Sequence, residues 1–554
     1  MKNLTYGRAI LLGLATLLLG GGCGGGGGGS AGDAQSGTTS PPEPTRLSVI
    51  DSTPDGSGST VDATRAGIRF VHPGFADLRL SNSGACVSDK VARRDLTGLA
   101  NSEFDALFEH VFDCSPLTSN QSVEVEKRGE RGGVEYVVSH DFTHAGMGSG
   151  ELVGLGAINV SPAEIASSFQ SYLTGELFNE LDLPFDQRLL VVAAAIEAIA
   201  GWTNLSDPQT TQGVVARRVS YPAADPFGAA TSAVTGLVVS PAVASTSPRR
   251  GVVVLAHSTG STPGDLELSN AWYLLANLLA SHGYLVVAAD NWGRGGTSEF
   301  PETYLLGFRT AQNNINLVRS VVRDDDFAQF LPGGTVTPLI LVGYSQGGHS
   351  VMGIWHQLSL SAASDLEVIE IYAGGGPYNL YSTFNGVMQF LSDNCIDDAY
   401  CINVDEAVTV PFATNRILPG VLEYTESGYT LDDIVSEGDL ATDFIDDYSS
   451  GDASADSLKM LLQLNSYTNI TNLIEVYAPA AQLHLYHAPQ DLLVPYANQI
   501  ELTALFSGHV STTTHEDICS GTVYEAIATV TDVVGVIHSI CGIAMVNHVV
   551  GQLR

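Results

Sequence analysis

From about residue 212 onward, short apolar runs alternate with stretches of helical periodicity. Residues 251–256 are a compact apolar run, the pattern of a strand buried on both faces of a sheet. Residues 284–289, 339–342, 367–373 and 483–487 read as further strands of the same kind. Between them lie helix signals. Residues 272–281 end at Gly283, a residue suited to a C-terminal cap, and Phe308, Ala311, Ile315, Val318 and Val322 recur every three or four positions. Residues 214–220 and 234–240 read as an opening antiparallel pair. The alternation predicts an α/β architecture with a mostly parallel sheet flanked by helices.

The rhythm breaks twice. Residues 381–479 form an acidic insertion carrying Asp432, Asp433, Glu437, Asp439, Asp443, Asp446 and Asp447. Long insertions in compact folds are usually functional, and this one falls where a cap or lid would overhang the strand ends. Upstream, residues 61–205 show strand-like pieces such as 133–138 and two helix-like stretches, 162–175 and 185–201. They carry no recognisable chemistry and read as an accessory region packed on the catalytic part, 212–554. Residues 23–60 are rich in Gly, Ser, Thr and Pro, the composition of a flexible tether.

The first 22 residues read as a leader. Lys2 and Arg8 precede the apolar run 9–19, which is too short to span a bilayer, and Gly20-Gly21-Gly22-Cys23 follows. Small residues directly before a cysteine resemble a bacterial lipobox. That resemblance implies cleavage before Cys23 and a lipid on its sulfur; ordinary cleavage near Gly22 is the alternative. The chain is therefore expected in the cell envelope, lipid-anchored, or secreted. Cysteine usage agrees with export. Setting Cys23 aside, six cysteines remain, and proximity in sequence favours Cys86–Cys114, Cys395–Cys401 and Cys519–Cys541 as disulfides. No CxxC pair or His cluster favours a metal. The formal net charge of −36 disfavours nucleic acid, because such a surface repels phosphate backbones.

The chemistry centres on Gly343-Tyr344-Ser345-Gln346-Gly347, a G-x-S-x-G sequence. The pattern alone decides little, since Gly28-Gly29-Ser30-Ala31-Gly32 fits it inside the tether. Context separates them: Ser345 lies between a buried strand and a helix signal running through Val351 and Trp355. A serine hydroxyl needs a base to take its proton, and the base needs a carboxylate to hold it. Asp491, just past the 483–487 strand, is the expected acid. Four histidines follow it: His509, His515, His538 and His548. His548 sits in the apolar stretch 540–550, a final helix, where packing is its expected role. His538, expected in the loop just before that helix, is favoured as the base, with His515 as the alternative. An oxyanion needs two prearranged N–H donors. The backbone amides of Gln346 and of Thr259, in the turn after the 251–256 strand, are the expected pair, and His257 beside them is expected to be structural.

Taken together, residues 214–554 resemble the secretory lipase branch of the α/β-hydrolases. The resemblance is carried by 225–228 and 236–241, by His257-Ser258-Thr259-Gly260, by 290–293 with Tyr304, by the elbow 343–348, and by Asp491 with Val494-Pro495. Ser258 stands where that family usually has a glycine. The resemblance implies hydrolysis of acyl esters through an acyl-enzyme, without a cofactor, on small-molecule or lipid esters. Two other readings fit the same residues: a serine peptidase on this fold, and a surface-binding protein with a decayed site.

Overall fold

In the computed structural model, the described residues are 60–63, 67–72, 77–80, 90–99, 105–113, 121–131, 134–144, 152–172 and 206–554. The last span lacks short stretches at 227–229, 245–248, 362–364, 398, 402–412, 426, 437–438, 451–452, 523, 526–527 and 529–534. The signal, the tether with Cys23, the pair Cys86 and Cys114, and the helix expected at 185–201 lie outside them.

One sheet of nine strands organises the chain. In sequence order they are β1 (Val153–Val160), β2 (Val214–Ser220), β3 (Thr235–Pro241), β4 (Val252–Ala256), β5 (Val286–Ala289), β6 (Thr337–Tyr344), β7 (Leu366–Gly374), β8 (Gln482–Tyr486) and β9 (Ser511–Thr514). Across the sheet the order is β9-β8-β7-β6-β4-β5-β3-β2-β1. Strands β4 to β9 run parallel to their neighbours within that group, whereas β3 is antiparallel to both β5 and β2. This order and these directions make an α/β-hydrolase core. The expected opening hairpin is the β2–β3 pair. Outside it the structure adds β1, drawn from the region upstream of 205, antiparallel to β2.

Burial on both faces explains the uninterrupted apolar runs. Along β4, Val252, Val254 and Ala256 face one core, and Val253 and Leu255 face the other. Strand β6 alternates likewise, with Leu339 and Leu341 on the first side and Ile340, Val342 and Tyr344 on the second. Each such aliphatic side chain contributes roughly 1.5–3 kcal/mol on leaving water. Helices fill the two layers: α1 (Pro162–Ser171), α2 (Ala271–Ser281), α3 (Gly307–Val322), α4 (Gln346–Leu360), α5 (Leu380–Leu391), α6 (Asp456–Leu464), α7 (Ala497–Phe506) and α8 (Val536–Leu553). Asn270 caps α2 by accepting from the amides of Trp272 and Tyr273, and Gly283 leaves it with φ +100°.

Between β7 and β8 the chain forms α5, the short helices Leu418–Tyr424, Leu431–Ile434 and Thr442–Ser450, and then α6. The upstream strands Gly67–His72, Val91–Asp95 and Ala106–Asp113 pair antiparallel and rest against this insertion. The amide of Asp95 donates to Asn469 O (3.0 Å), and that of Thr471 donates to Arg93 O (2.9 Å). A buried charge cluster locks the contact. Glu109 accepts from Arg69 Nε (2.7 Å) and Arg94 Nε (2.5 Å) and lies 3.0 Å from His356 Nε2, while Arg94 also donates to Ser466 O. Burial alone would raise the Glu109 carboxyl, but the two guanidinium groups and His356 outweigh it and hold it well below the carboxylate range.

Candidate active site

The β6–α4 junction folds as the glycine spacing requires. A Cβ on Gly343 would lie 2.2 Å from Gly347 O, and one on Gly347 would lie 2.0 Å from Ala256 O. Only bare backbone permits so tight a turn against β4. Ser345 sits at its apex with φ +58° and ψ −122°, a strained conformation for a residue with a side chain, costing about 1–3 kcal/mol. Its amide donates to Gly374 O at the end of β7 (2.8 Å), and its carbonyl accepts from His349 N (3.2 Å). Such strain persists only where the surroundings impose it, and here two neighbouring strands do so.

Asp491 lies in the turn after β8 and is almost wholly buried. Its Oδ1 accepts from the amides of Leu493 (2.9 Å) and Val494 (3.1 Å), and its Oδ2 accepts from His538 Nδ1 (2.6 Å). Burial pushes this carboxyl up, but the facing His538 and the hydrogen bonds from His487 and His538 win, so it stays ionised well below its ordinary value. His538 is not in a loop, as the sequence suggests. It stands in the first turn of α8, which begins at Val536 after Gly535 turns the chain with φ +96°. Tyr344, the residue before Ser345, packs its ring 4.9 Å from the imidazole and donates its hydroxyl to His538 O (2.6 Å). The ring also abuts Gly375, where a Cβ would come within 2.9 Å of His538 Cε1. His538 Nε2 is buried without a hydrogen-bond partner among the described residues. In a native interior such an atom calls for an explanation.

The other histidines fall elsewhere. His515 stacks on Tyr486 (4.6 Å) and pairs with His484 Nδ1 (3.1 Å); burial, then the nearby His548 and His484, push it down to about 4. His548 Nδ1 bonds the hydroxyl of Tyr486 (2.8 Å) on the same side of the sheet. Among the described residues the histidines that meet Asp491 are His538 and His487, not His515 or His548. His257 is locked by Ser258 O (2.8 Å) and Asn291 Nδ2 (2.9 Å). Sequence reasoning missed His487, whose Nε2 lies 3.2 Å from Asp491 Oδ2; its position four residues before the acid was the available signal.

Gln346 opens α4, so its amide has no acceptor within the helix. Its side chain donates to Glu302 (2.6 Å). Thr259 is buried in the turn after β4, with its hydroxyl 2.6 Å from that of Tyr304. A cavity opens over Ser345. Tyr304, Ser345, Gln346 and Thr383 bring polar atoms to it; the remaining wall is apolar, from Leu380, Phe384 and Val387 of α5 with Ile417, Leu440, Leu493 and Val494.

No protein-family model and no curated protein sequence matches the chain. Among solved structures, it is similar to a proposed hydrolase from Legionella pneumophila at 18% identity, covering 73% of this chain and 97% of that one, with a TM-score of 0.47. It is similar to the rice cell wall degrading esterase LipA from Xanthomonas oryzae at 16% identity, covering 72% and 97%, with a TM-score of 0.45. It is also similar to Candida antarctica lipase A at 15% identity, covering 54% and 71%, with a TM-score of 0.34.

Disulfides join Cys395 to Cys401 in the insertion and Cys519 to Cys541, the latter tying the segment after β9 to α8.

Proposed function

We propose that this protein is an exported serine hydrolase that cleaves carboxylic esters of apolar acyl groups. One observation carries the reading: a strained serine at a strand-to-helix turn opens onto an apolar cavity, and an imidazole fixed by a buried carboxylate packs on Tyr344, the residue before that serine. The Nε2 of that imidazole is the atom left unpartnered, and it is the atom that would receive a proton.

In this mechanism Ser345 Oγ forms a bond to the ester carbonyl carbon as its proton passes to His538 Nε2. The carbonyl oxygen becomes an oxyanion held by the amide of Gln346 and, we infer, that of Thr259. Asp491 stabilises the imidazolium through Nδ1. Collapse breaks the bond to the alcohol, which leaves with the proton from His538, and Ser345 carries the acyl group. Water then repeats the sequence, releasing the carboxylic acid. The two disulfides and the basic-apolar leader that precedes Cys23 support the export part of the reading, because disulfides persist in oxidising compartments.

The apolar wall favours an acyl group over a peptide amine, which would need a carboxylate pair in the cavity to grip it. Nitrophenyl esters of increasing chain length, assayed beside an aminoacyl nitroanilide with wild type and Ser345→Ala, test the proposal. Ester turnover abolished by Ser345→Ala is the expected result. Preference for the anilide would favour the peptidase reading, and ester turnover that survives the substitution would end the serine mechanism.

A further inference from the structure

His487 is a second imidazole on the carboxylate that holds His538. It follows directly on β8, is fully buried, and packs edge-on against the Tyr496 ring (5.7 Å, 87°). Its Nε2 lies 2.9 Å from Val494 O and 3.2 Å from Asp491 Oδ2. Both oxygens only accept, so Nε2 carries the hydrogen and shares it between them. Its Nδ1 is buried without a hydrogen-bond partner among the described residues.

The contacts close a small ring. Val494 donates its amide to Asp491 Oδ1 and accepts from His487 with its carbonyl, while His487 reaches back to Asp491 Oδ2. Asp491 thus receives four donors: two amides on Oδ1, and His487 and His538 on Oδ2. Val494 and its neighbour Leu493 also line the cavity. The ring therefore fixes both the direction of the acid and the wall next to the reacting serine.

We propose that His487 is a positioning residue of the site, which aims Asp491 and tempers the charge it presents to His538. The inference rests on the hydrolase reading given above. Taking away one of two donors on Oδ2 concentrates negative charge on the bond to His538. The imidazolium is then favoured, and the neutral base appears only at higher pH. A purely structural histidine would affect folding without touching that balance.

The test compares His487→Phe, which keeps the ring volume, His487→Asn, which is too short to place a donor at Nε2, and His487→Gln, whose amide can reach it. Active sites are counted by fluorophosphonate labelling, and kcat and KM are measured across pH on a short nitrophenyl ester. The expected result for whichever donor-less variant folds is a kcat about tenfold lower or more, with KM little changed and the acid limb moved to higher pH. The Gln variant should recover most of kcat and the wild-type limb. In parallel, the His538 Nδ1–H proton resonance should move downfield in the donor-less variants and return in the Gln variant. A folded donor-less variant with wild-type kcat and acid limb overturns the proposal, as does a loss of kcat with no change in limb or resonance. Should the wild type hydrolyse no ester, the hydrolase reading fails on its own, and the resonance alone decides whether His487 acts on the Asp491–His538 pair.

Discussion

Replacing Asp491 with asparagine isolates the contribution of charge and tautomer with almost no change of shape. Among the described residues, the groups that meet the carboxylate are donors: the amides of Leu493 and Val494 at Oδ1, His538 Nδ1 and His487 Nε2 at Oδ2. An asparagine must put its NH2 on one side or the other. On the first it meets two backbone N–H groups that cannot turn away. On the second it meets two imidazoles, and His538 can accept only by moving its proton to Nε2. That places a hydrogen on the very atom that should take one from Ser345. The asparagine is therefore driven toward the inactive tautomer. A loss in kcat of about 10⁴-fold is expected, as in a serine protease with the same change. At about 1.36 kcal/mol per factor of ten, this is a barrier increase of roughly 5 kcal/mol. Hydrolysis of a chromogenic acetate or butyrate, with folding checked by circular dichroism, reads the effect. A folded Asp491→Asn protein within tenfold of wild-type kcat would refute the assignment of Asp491 as the orienting acid.

Other outcomes follow from the same geometry. Glu109→Gln leaves Arg69 and Arg94 buried without their counter-charge and should cost about 3–5 kcal/mol of stability, measured by denaturant unfolding. Because the folded Glu109 carboxyl is held below its unfolded value, its contribution is complete above the ordinary carboxylate pKa of about 4.5 and is lost as pH falls through the depressed one. The gap between wild type and variant should accordingly narrow on acidification, and a constant gap would exclude that origin. Gly347→Ala places a methyl 2.0 Å from a backbone oxygen of β4; activity should fall at least a hundredfold, by analogy with other displaced catalytic turns, and near-normal kcat/KM would contradict the packing. Val387→Trp should narrow the cavity, sparing acetate hydrolysis while suppressing long-chain esters, and an unchanged chain-length profile would show that α5 does not border the acyl group.

The sheet is readable in the sequence wherever a strand is buried on both faces, because burial leaves an unbroken apolar run such as β4. The amphipathic face of α3 is readable for the same reason, with Phe308, Ala311, Ile315 and Val318 all buried. Strand β1 is not. Val153, Leu155 and Ile158 are each at least 44% exposed, so no burial pattern marks it, and its partner β2 lies some fifty residues away. The start of α8 is hidden because Val536 and Ile537 favour strands and no side-chain cap precedes them; only Gly535 marks the boundary. This is why His538 reads as a loop residue. Asp491 is visible from its place after β8. The cavity wall is not, since helices brought together from separate parts of the insertion contribute it, and no local period encodes that assembly.

The central claim is that Ser345 is the nucleophile. Its most direct measure is the intact mass of the protein after exposure to a fluorophosphonate, followed by peptide mapping. One adduct per chain is expected, on Ser345, absent from Ser345→Ala and strongly slowed in His538→Ala. An adduct on another residue, or equal labelling of the Ser345→Ala protein, would contradict it.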